Sequence, residues 1–320
     1  MARQKTEISV VVPIYKAEAC LHELYRRLRL TLEGMALNFE IIMVEDCGGD
    51  GSWSIICELA QKDARIKGLQ FSRNFGQHHG ITAGIDHCCG DWVVIMDCDL
   101  QDQPEEIPRL YAKALQGYEV VLARRGQRRH SLLKRSVSRM FYATLNYLAD
   151  MHYDAEVGNF RIISNKVVVY YRQMRENLRF FGGLVDWMGF PTASINVEHA
   201  ERYAGETTYS FSKLWKLGIE TIIAHSDKPL RLAIRFGFLM SFGALIYAVM
   251  IVYEALQGSY TVLGWSSLMA SIYFLGGVVI SLLGIIGLYL GKTFDETKCR
   301  PLYIINHKTF AGQEAGDVVS

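Results

Sequence analysis

Two long uncharged runs near the carboxyl end set the first limit on what this chain can fold into. Residues 236–253 (FGFLMSFGALIYAVMIVY) and 261–291 (TVLGWSSLMASIYFLGGVVISLLGIIGLYLG) contain no charged side chain. A helix needs about 20 predominantly apolar residues to cross the hydrocarbon core of a bilayer. The second run exceeds that length, and the first reaches it by adding Leu232 to Ile234, with Arg235 near the interface. Buried core helices of a soluble protein are the bland alternative, but they do not require an uncharged stretch as long as the second. Two transmembrane helices are therefore expected within residues 231–292. Lys228, Arg231 and Arg235 precede the first, Lys292, Lys298 and Arg300 follow the second, and Glu254 is the one charge between them. The positive-inside rule then predicts a multi-pass protein with both termini and residues 1–230 in the cytosol. Residues 293–320 are expected to form a cytosolic tail. Gly276, Gly277, Gly284, Gly287 and Gly291 would allow close helix packing, as in a homo-oligomer.

The rest of the chain is polar enough to be a soluble domain. Across all 320 residues 34 Lys and Arg balance 33 Asp and Glu, and half the residues are apolar, which excludes a disordered chain. A net charge of +1 gives no global case for nucleic-acid binding. Seven scattered cysteines, with no C-x-x-C spacing, read as reduced thiols rather than a zinc site. The apolar stretch after MARQKTE is too short for a signal-peptide core and reads as a strand.

Strand and helix patterns alternate through this domain. Strands are expected at 8–14, 39–44, 66–71, 92–96 and 119–122, with helices at 19–33, 52–62, 76–88 and after Pro104. Continuously apolar strands separated by helices predict a parallel sheet covered on both faces. Ligands of such sheets bind beyond the carboxyl ends of the strands. The polar clusters fall there: Tyr15, Glu45-Asp46, Ser72-Arg73-Asn74 and Asp97-Cys98-Asp99. Neither G-x-G-x-x-G nor a Walker pattern is present. Asp97 and Asp99 flank one residue, so in extended chain both carboxylates can share a face. Two such carboxylates repel unless a cation lies between them, and Mg²⁺ or Mn²⁺ suits oxygen ligands together with phosphate. Asp102, just before Pro104, reads equally well as a helix cap. The histidines suggest no metal site, since His78 and His79 are neighbours on a helix and face apart.

Two basic segments stand apart from the strands. Arg124, Arg125, Arg128, Arg129, Lys134, Arg135 and Arg139 lead into the aromatic stretch at 140–148. A helix at about 131–149 on an anionic lipid surface fits that pattern. A second amphipathic helix is expected at about 211–226, after the Gly- and Thr-rich loop that contains Arg202.

Several motifs together resemble the family 2 glycosyltransferases of the polyprenyl-phosphate type, the group of dolichol-phosphate mannose synthase and bactoprenol glucosyltransferase. The matching pieces are VVPIYKAE (11–18), VEDCGGDGS (44–52), FSRNFGQHHGITAGIDH (71–87), MDCDLQDQPEEIP (96–108), GNFRIIS (158–164), RFFGGLVDWMGF (179–190), ERYAGETTYSFSKLWKL (201–217) and GLYLGKTFDETKCRPLYII (287–305). The resemblance implies an α/β, Rossmann-like GT-A catalytic domain followed by interfacial helices and the two transmembrane helices. It implies that Pro13, Tyr15, Glu45, Asp46, Arg73, Asn74 and Cys98 contribute to the nucleotide-sugar site. Asp97, Asp99 and Gln101 would hold Mg²⁺ or Mn²⁺ and the diphosphate. Arg125, Arg128, Arg161, Arg202 and Lys213 would meet phosphate, chiefly that of the acceptor, and Asn159 would position an oxygen. Lys16, Ala17, Glu45, Cys47 and Gly48 depart from the usual family residues, which bears on base recognition and donor choice. The implied reaction is inverting transfer of a sugar, glucose from UDP-glucose first among the options, to undecaprenyl phosphate at the bacterial inner membrane. GDP-mannose, UDP-galactose and N-acetylhexosamine donors are alternatives. A processive polysaccharide synthase is disfavoured because Q-x-x-R-W is missing. A nucleotide-sugar-binding membrane scaffold is the non-enzymatic alternative.

Overall fold

A computed structural model describes residues 5–125, 157–198, 226, 228–257 and 264–310. The described chain forms two compact units: a sheet with its covering helices, and a pair of long apolar helices.

The sheet begins with β1 (Ile8–Ile14), α1 (Leu21–Gly34), β2 (Phe39–Glu45), α2 (Ser52–Lys62), β3 (Ile66–Phe71), α3 (Gln77–His87) and β4 (Trp92–Ile95). A short 3₁₀ turn at Pro104–Glu106 leads into α4 (Ile107–Ala114) and β5 (Val120–Arg125). Then come β6 (Val157–Ser164), α5 (Asn165–Gln173), α6 (Phe181–Trp187) and β7 (Thr192–Val197). Strand β8 (Ile305–Lys308) completes eight strands in the order β7-β5-β6-β4-β1-β2-β3-β8.

Strands β4, β1, β2 and β3 are parallel, as expected, but the sheet as a whole is mixed. Strand β6 runs antiparallel to both β4 and β5, and β8 runs antiparallel to β3. The apolar strand pattern that predicts a parallel sheet ends at residue 122, and the strands after it carry no such pattern. Two successive reversals, at β4/β6 and β6/β5, leave β5 running the same way as β4.

Alternate residues of each central strand feed two separate cores. Val10 and Val12 of β1 and Ile41 and Met43 of β2 meet Leu21, Leu24, Leu28 and Leu32 of α1. Val11 of β1 and Ile42 and Val44 of β2 face Ile81 and Ile85 of α3 and Val167 and Tyr171 of α5. Burial on both faces is why these strands are apolar without alternation. Helix α3 lies close to β1 because Gly84 is there: a Cβ would collide with the Val11 side chain.

The other unit holds α7 (Lys228–Leu256) and α8 (Trp265–Thr297). Within them, Lys228–Tyr247 and Ser271–Thr297 are long and apolar enough to span a membrane, and almost none of either stretch is buried within the protein. Phe238, Leu245, Tyr273 and Ile280 stand exposed, as lipid-facing side chains would. Tyr289 donates a hydrogen bond to the Ser226 carbonyl at 2.7 Å.

The segment expected to be a tail from residue 293 is something else in part. Helix α8 runs to Thr297, and residues 302–310 return to the sheet. Strand β8 covers the β3 edge, Tyr303 stacks on Phe71 with ring centroids 5.4 Å apart, and Thr309 Oγ1 accepts the Gly68 N–H at 2.8 Å. An unpaired β3 would leave a row of open backbone groups. The segment is too polar and too short for its sequence to announce a strand.

Candidate active site

Parallel strands bring the carboxyl ends of β1, β2 and β4 to one edge of the sheet. Because β6 is antiparallel to β4, its first residues reach the same edge, and so does Arg125 at the end of β5. Topology alone thus gathers Tyr15, Glu45, Asp46, Asp97, Asp99, Arg125 and Asn159.

The turn after β2 is built from the two buried carboxylates ahead of it. Glu45 Oε1 accepts the Gly48 N–H at 2.6 Å, and its Oε2 accepts Gln70 Nε2 at 3.1 Å. Asp46 accepts the N–H groups of Phe75 at 2.6 Å and Gly76 at 2.8 Å, which fixes the approach to α3. Burial pushes the Asp46 carboxyl up, and those two N–H groups pull it down. Asn74 Nδ2 closes the arrangement on the Asp46 carbonyl at 3.1 Å. Both acidic side chains are buried and brace the loops of this edge. Arg73 lies over the Phe75 ring with its guanidinium carbon 4.0 Å from the centroid. Tyr15 is half exposed beside the same edge, and Pro13 is buried under Gly80. Lys16, Cys47 and Leu100 all have positive φ, 53°, 52° and 62°. Three non-glycine residues in this region, each on a loop of this edge, mark turns held in shape by their surroundings.

The turn after β4 carries Asp97 and Asp99. Asp97 Oδ1 accepts Gln77 Nε2 at 2.6 Å and Asn159 Nδ2 at 3.4 Å. Its N–H is directed at Asp102 Oδ2, 3.4 Å away. Asp99 Oδ1 accepts the Gln101 N–H at 3.1 Å. Asp102 is buried, and its bond to Asp97 makes it a support of the turn. Cys98 turns the other way: Cys20 Sγ donates to its carbonyl at 3.0 Å, and the Cys20 hydrogen bond together with burial pushes the Cys98 thiol well up. Cys98 is partly buried and packs against the core that includes α1.

Arg161 sits on β6 opposite Ile95 and Leu122 and is buried. It donates to the Gly158 carbonyl at 3.0 Å, and its guanidinium lies 5.1 Å from the Phe181 ring centroid. The acidic residues Asp154 and Glu156, just ahead of β6, lie outside the described residues, as do Arg128, Arg202, Lys213 and the two expected interfacial helices.

Comparison with known proteins shows the family of the chain. Residues 9–217 match the model of Glycosyl transferase family 2. The chain belongs to glycosyltransferase family 2. Among its relatives is an uncharacterized glycosyltransferase of Bacillus subtilis, 39% identical over 93% of this chain and 93% of the relative. A prophage bactoprenol glucosyl transferase homolog of Escherichia coli is 37% identical over 93% of this chain and 98% of that protein. The bactoprenol glucosyl transferase of Shigella phage SfV is 35% identical over 94% and 99%. The fold is accordingly GT-A, with its sheet extended by β8.

In this family 2 glycosyltransferase the residues fit a divalent cation. Asp97 and Asp99 offer hard carboxylate oxygens, and among the described residues no group of three or more His, Cys, Asp or Glu forms a metal cage. Two carboxylates with the remaining positions left to water and phosphate oxygen is the arrangement Mg²⁺ favours.

Three residues that sequence reasoning did not select belong to this region. Gln77 starts α3 and reaches Asp97. His78 accepts the Phe181 N–H at 3.5 Å and packs edge-on against Phe180. Burial, reinforced by His79, Arg161 and Arg179, pushes His78 down to about 4. Arg179 is buried, donating to Thr82 Oγ1 at 2.9 Å and to the Met174 carbonyl at 2.6 Å. The motif FGQHHG placed all but Arg179 near the edge, but nothing in its composition says which side chain turns toward the acidic pair.

Proposed function

We propose that this glycosyltransferase transfers glucose from UDP-glucose to undecaprenyl phosphate at the cytosolic face of a bacterial inner membrane. The observation that carries the reading is a single chain that joins the Asp97/Asp99 turn, at the ligand-binding edge of a GT-A sheet, to two helices fit to span a bilayer. The similarity to proteins called bactoprenol glucosyl transferase supports the acceptor and the sugar. The Lys and Arg residues flanking both helices support a cytosolic catalytic domain, residues 1–230, with a short external connection.

Asp97 and Asp99, with Gln101 beside them, would hold Mg²⁺ or Mn²⁺, which when bound neutralises charge on the departing diphosphate. The acceptor phosphate oxygen attacks the anomeric carbon, the bond from that carbon to the diphosphate oxygen breaks, and UDP leaves with the electron pair. A phosphate monoester has its second pKa near 6, so the acceptor is already mostly dianionic at neutral pH and needs no strong protein base. Asn159 fits that demand: an amide orients an oxygen but accepts no proton at neutral pH. Arg161 and Arg125, with Arg128, Arg202 and Lys213, supply cationic donors to phosphate. Attack opposite the leaving group inverts the anomeric centre.

Full-length protein in detergent should be given undecaprenyl phosphate and a panel of radiolabelled nucleotide sugars, with and without Mg²⁺ or Mn²⁺. A lipid-extractable labelled product from UDP-glucose, lost with EDTA, supports the reading. Product from another donor replaces glucose, and saturable nucleotide binding without lipid product rejects the acceptor and revives the scaffold reading.

A further inference from the structure

We propose that Gln77 is the positioning residue for Asp97, setting the orientation in which that carboxylate binds the divalent ion. The inference rests on the metal reading of the Asp97/Asp99 turn given above.

Gln77 and Asn159 come from separate elements, α3 and β6, and place amide hydrogens on the same oxygen, Asp97 Oδ1, at 2.6 and 3.4 Å. The shorter bond is Gln77's. Two donors on one oxygen fix the carboxylate plane, as outer partners do for metal ligands generally. The amide character matters. A Lys or Arg at residue 77 would also hold the oxygen, but its charge would compete with the cation for the carboxylate. Glutamine orients Asp97 and leaves its negative charge intact.

Gln77 can do this because its own backbone is held. It is the first residue of α3, reached through Gly76 at φ 98°, a conformation that favours glycine. The N–H groups of Phe75 and Gly76 are both bound by Asp46. One residue further, His78 meets the Phe181 N–H, and Thr82 is within hydrogen-bond distance of the Tyr171 hydroxyl at 3.0 Å. The side chain of Gln77 is itself exposed, so its substitution removes the hydrogen bond without opening a core.

Mn²⁺ binding to the full chain in detergent, with UDP present, should be titrated by electron paramagnetic resonance of free Mn²⁺ for wild type, Gln77→Ala and Gln77→Met. Methionine keeps length and helix propensity but donates no hydrogen bond. Both variants should bind Mn²⁺ roughly tenfold more weakly, in line with the 10–100-fold cost of removing such partners. Their melting temperatures without metal should match wild type. Wild-type Mn²⁺ affinity in both variants overturns the role of Gln77 while leaving the metal reading intact. A matching fall in melting temperature and in metal-free UDP affinity overturns it in favour of a general structural role. Absence of Mn²⁺ binding by wild type overturns the metal reading, and this inference with it.

Discussion

His78 gives a pH test of how tightly α3 is packed behind the site. Its imidazole is held down to about 4 from an ordinary value of 6.5, first by burial and then by His79, Arg161 and Arg179. In the unfolded chain the ring takes up a proton as pH falls through 6.5, and in the folded chain it does not until about 4. The unfolded state therefore binds more protons across that window, so stability rises with pH there and is lost as pH falls. Linkage with these two values gives almost no effect at about pH 7.5 and a loss of about 2 kcal/mol at about pH 5. For a domain of roughly 200 residues that is about 4–8 °C in melting temperature. His79 and His87 are pushed down too, mainly by burial, and contribute with the same sign. The comparison is therefore between wild type and His78→Asn, whose Oδ1 can replace Nδ1 as acceptor for the Phe181 N–H. Melting should be followed by intrinsic fluorescence in detergent from about pH 7.5 to about pH 5. The wild-type curve should fall more steeply, and the difference between the two slopes isolates His78. Parallel curves would refute the burial of a neutral imidazole at this position.

Three further outcomes follow from the site and the sheet. Asp99→Ala should abolish sugar transfer while the protein still inserts into membranes; transfer near the wild-type rate would reject the metal assignment. Asn159→Ala should lower kcat about tenfold with an unchanged pH–rate profile, well short of the 10²–10⁴ carried by a general base. A new slope in that profile would show that Asn159 governs a proton transfer. Thr309→Val removes the acceptor of the Gly68 N–H and should cost about 1 kcal/mol, read as a lower melting temperature of the catalytic unit. An unchanged melting temperature would show that β8 does not hold the β3 edge.

What could be read from the sequence, and what could not, divides along physical lines. Strands β1 to β4 were legible as short apolar runs ended by polar turns, and the segments between them, such as α1 with Leu21, Leu24, Leu28 and Leu32 on one face, as helices. Their parallel arrangement follows from burial on both faces. The same logic located the site, since the carboxyl ends of parallel strands collect whatever polar residues come next. Strand β6 was recognised only as the motif GNFRIIS, because an antiparallel strand inserted between two parallel neighbours leaves no local pattern. Yet that insertion is what carries Asn159 to Asp97. Strand β8 was hidden for a related reason: INHK has too few apolar residues to mark a strand, and its pairing with β3 spans more than 230 residues of sequence. Within the candidate site, Asp97 and Asp99 were legible as a spaced pair of like charges. Gln77 was not, because a glutamine at a helix start carries no charge, period or cap signal. Its role emerges only when the Asp46 carboxylate, bound to the N–H groups of Phe75 and Gly76, sets the start of α3 beside the turn after β4. Charge and burial are properties of a residue and can be read along a chain. Orientation is a property of two elements at once, and in this protein it is the orientation of α3 and β6 that brings Gln77 and Asn159 onto one oxygen of Asp97.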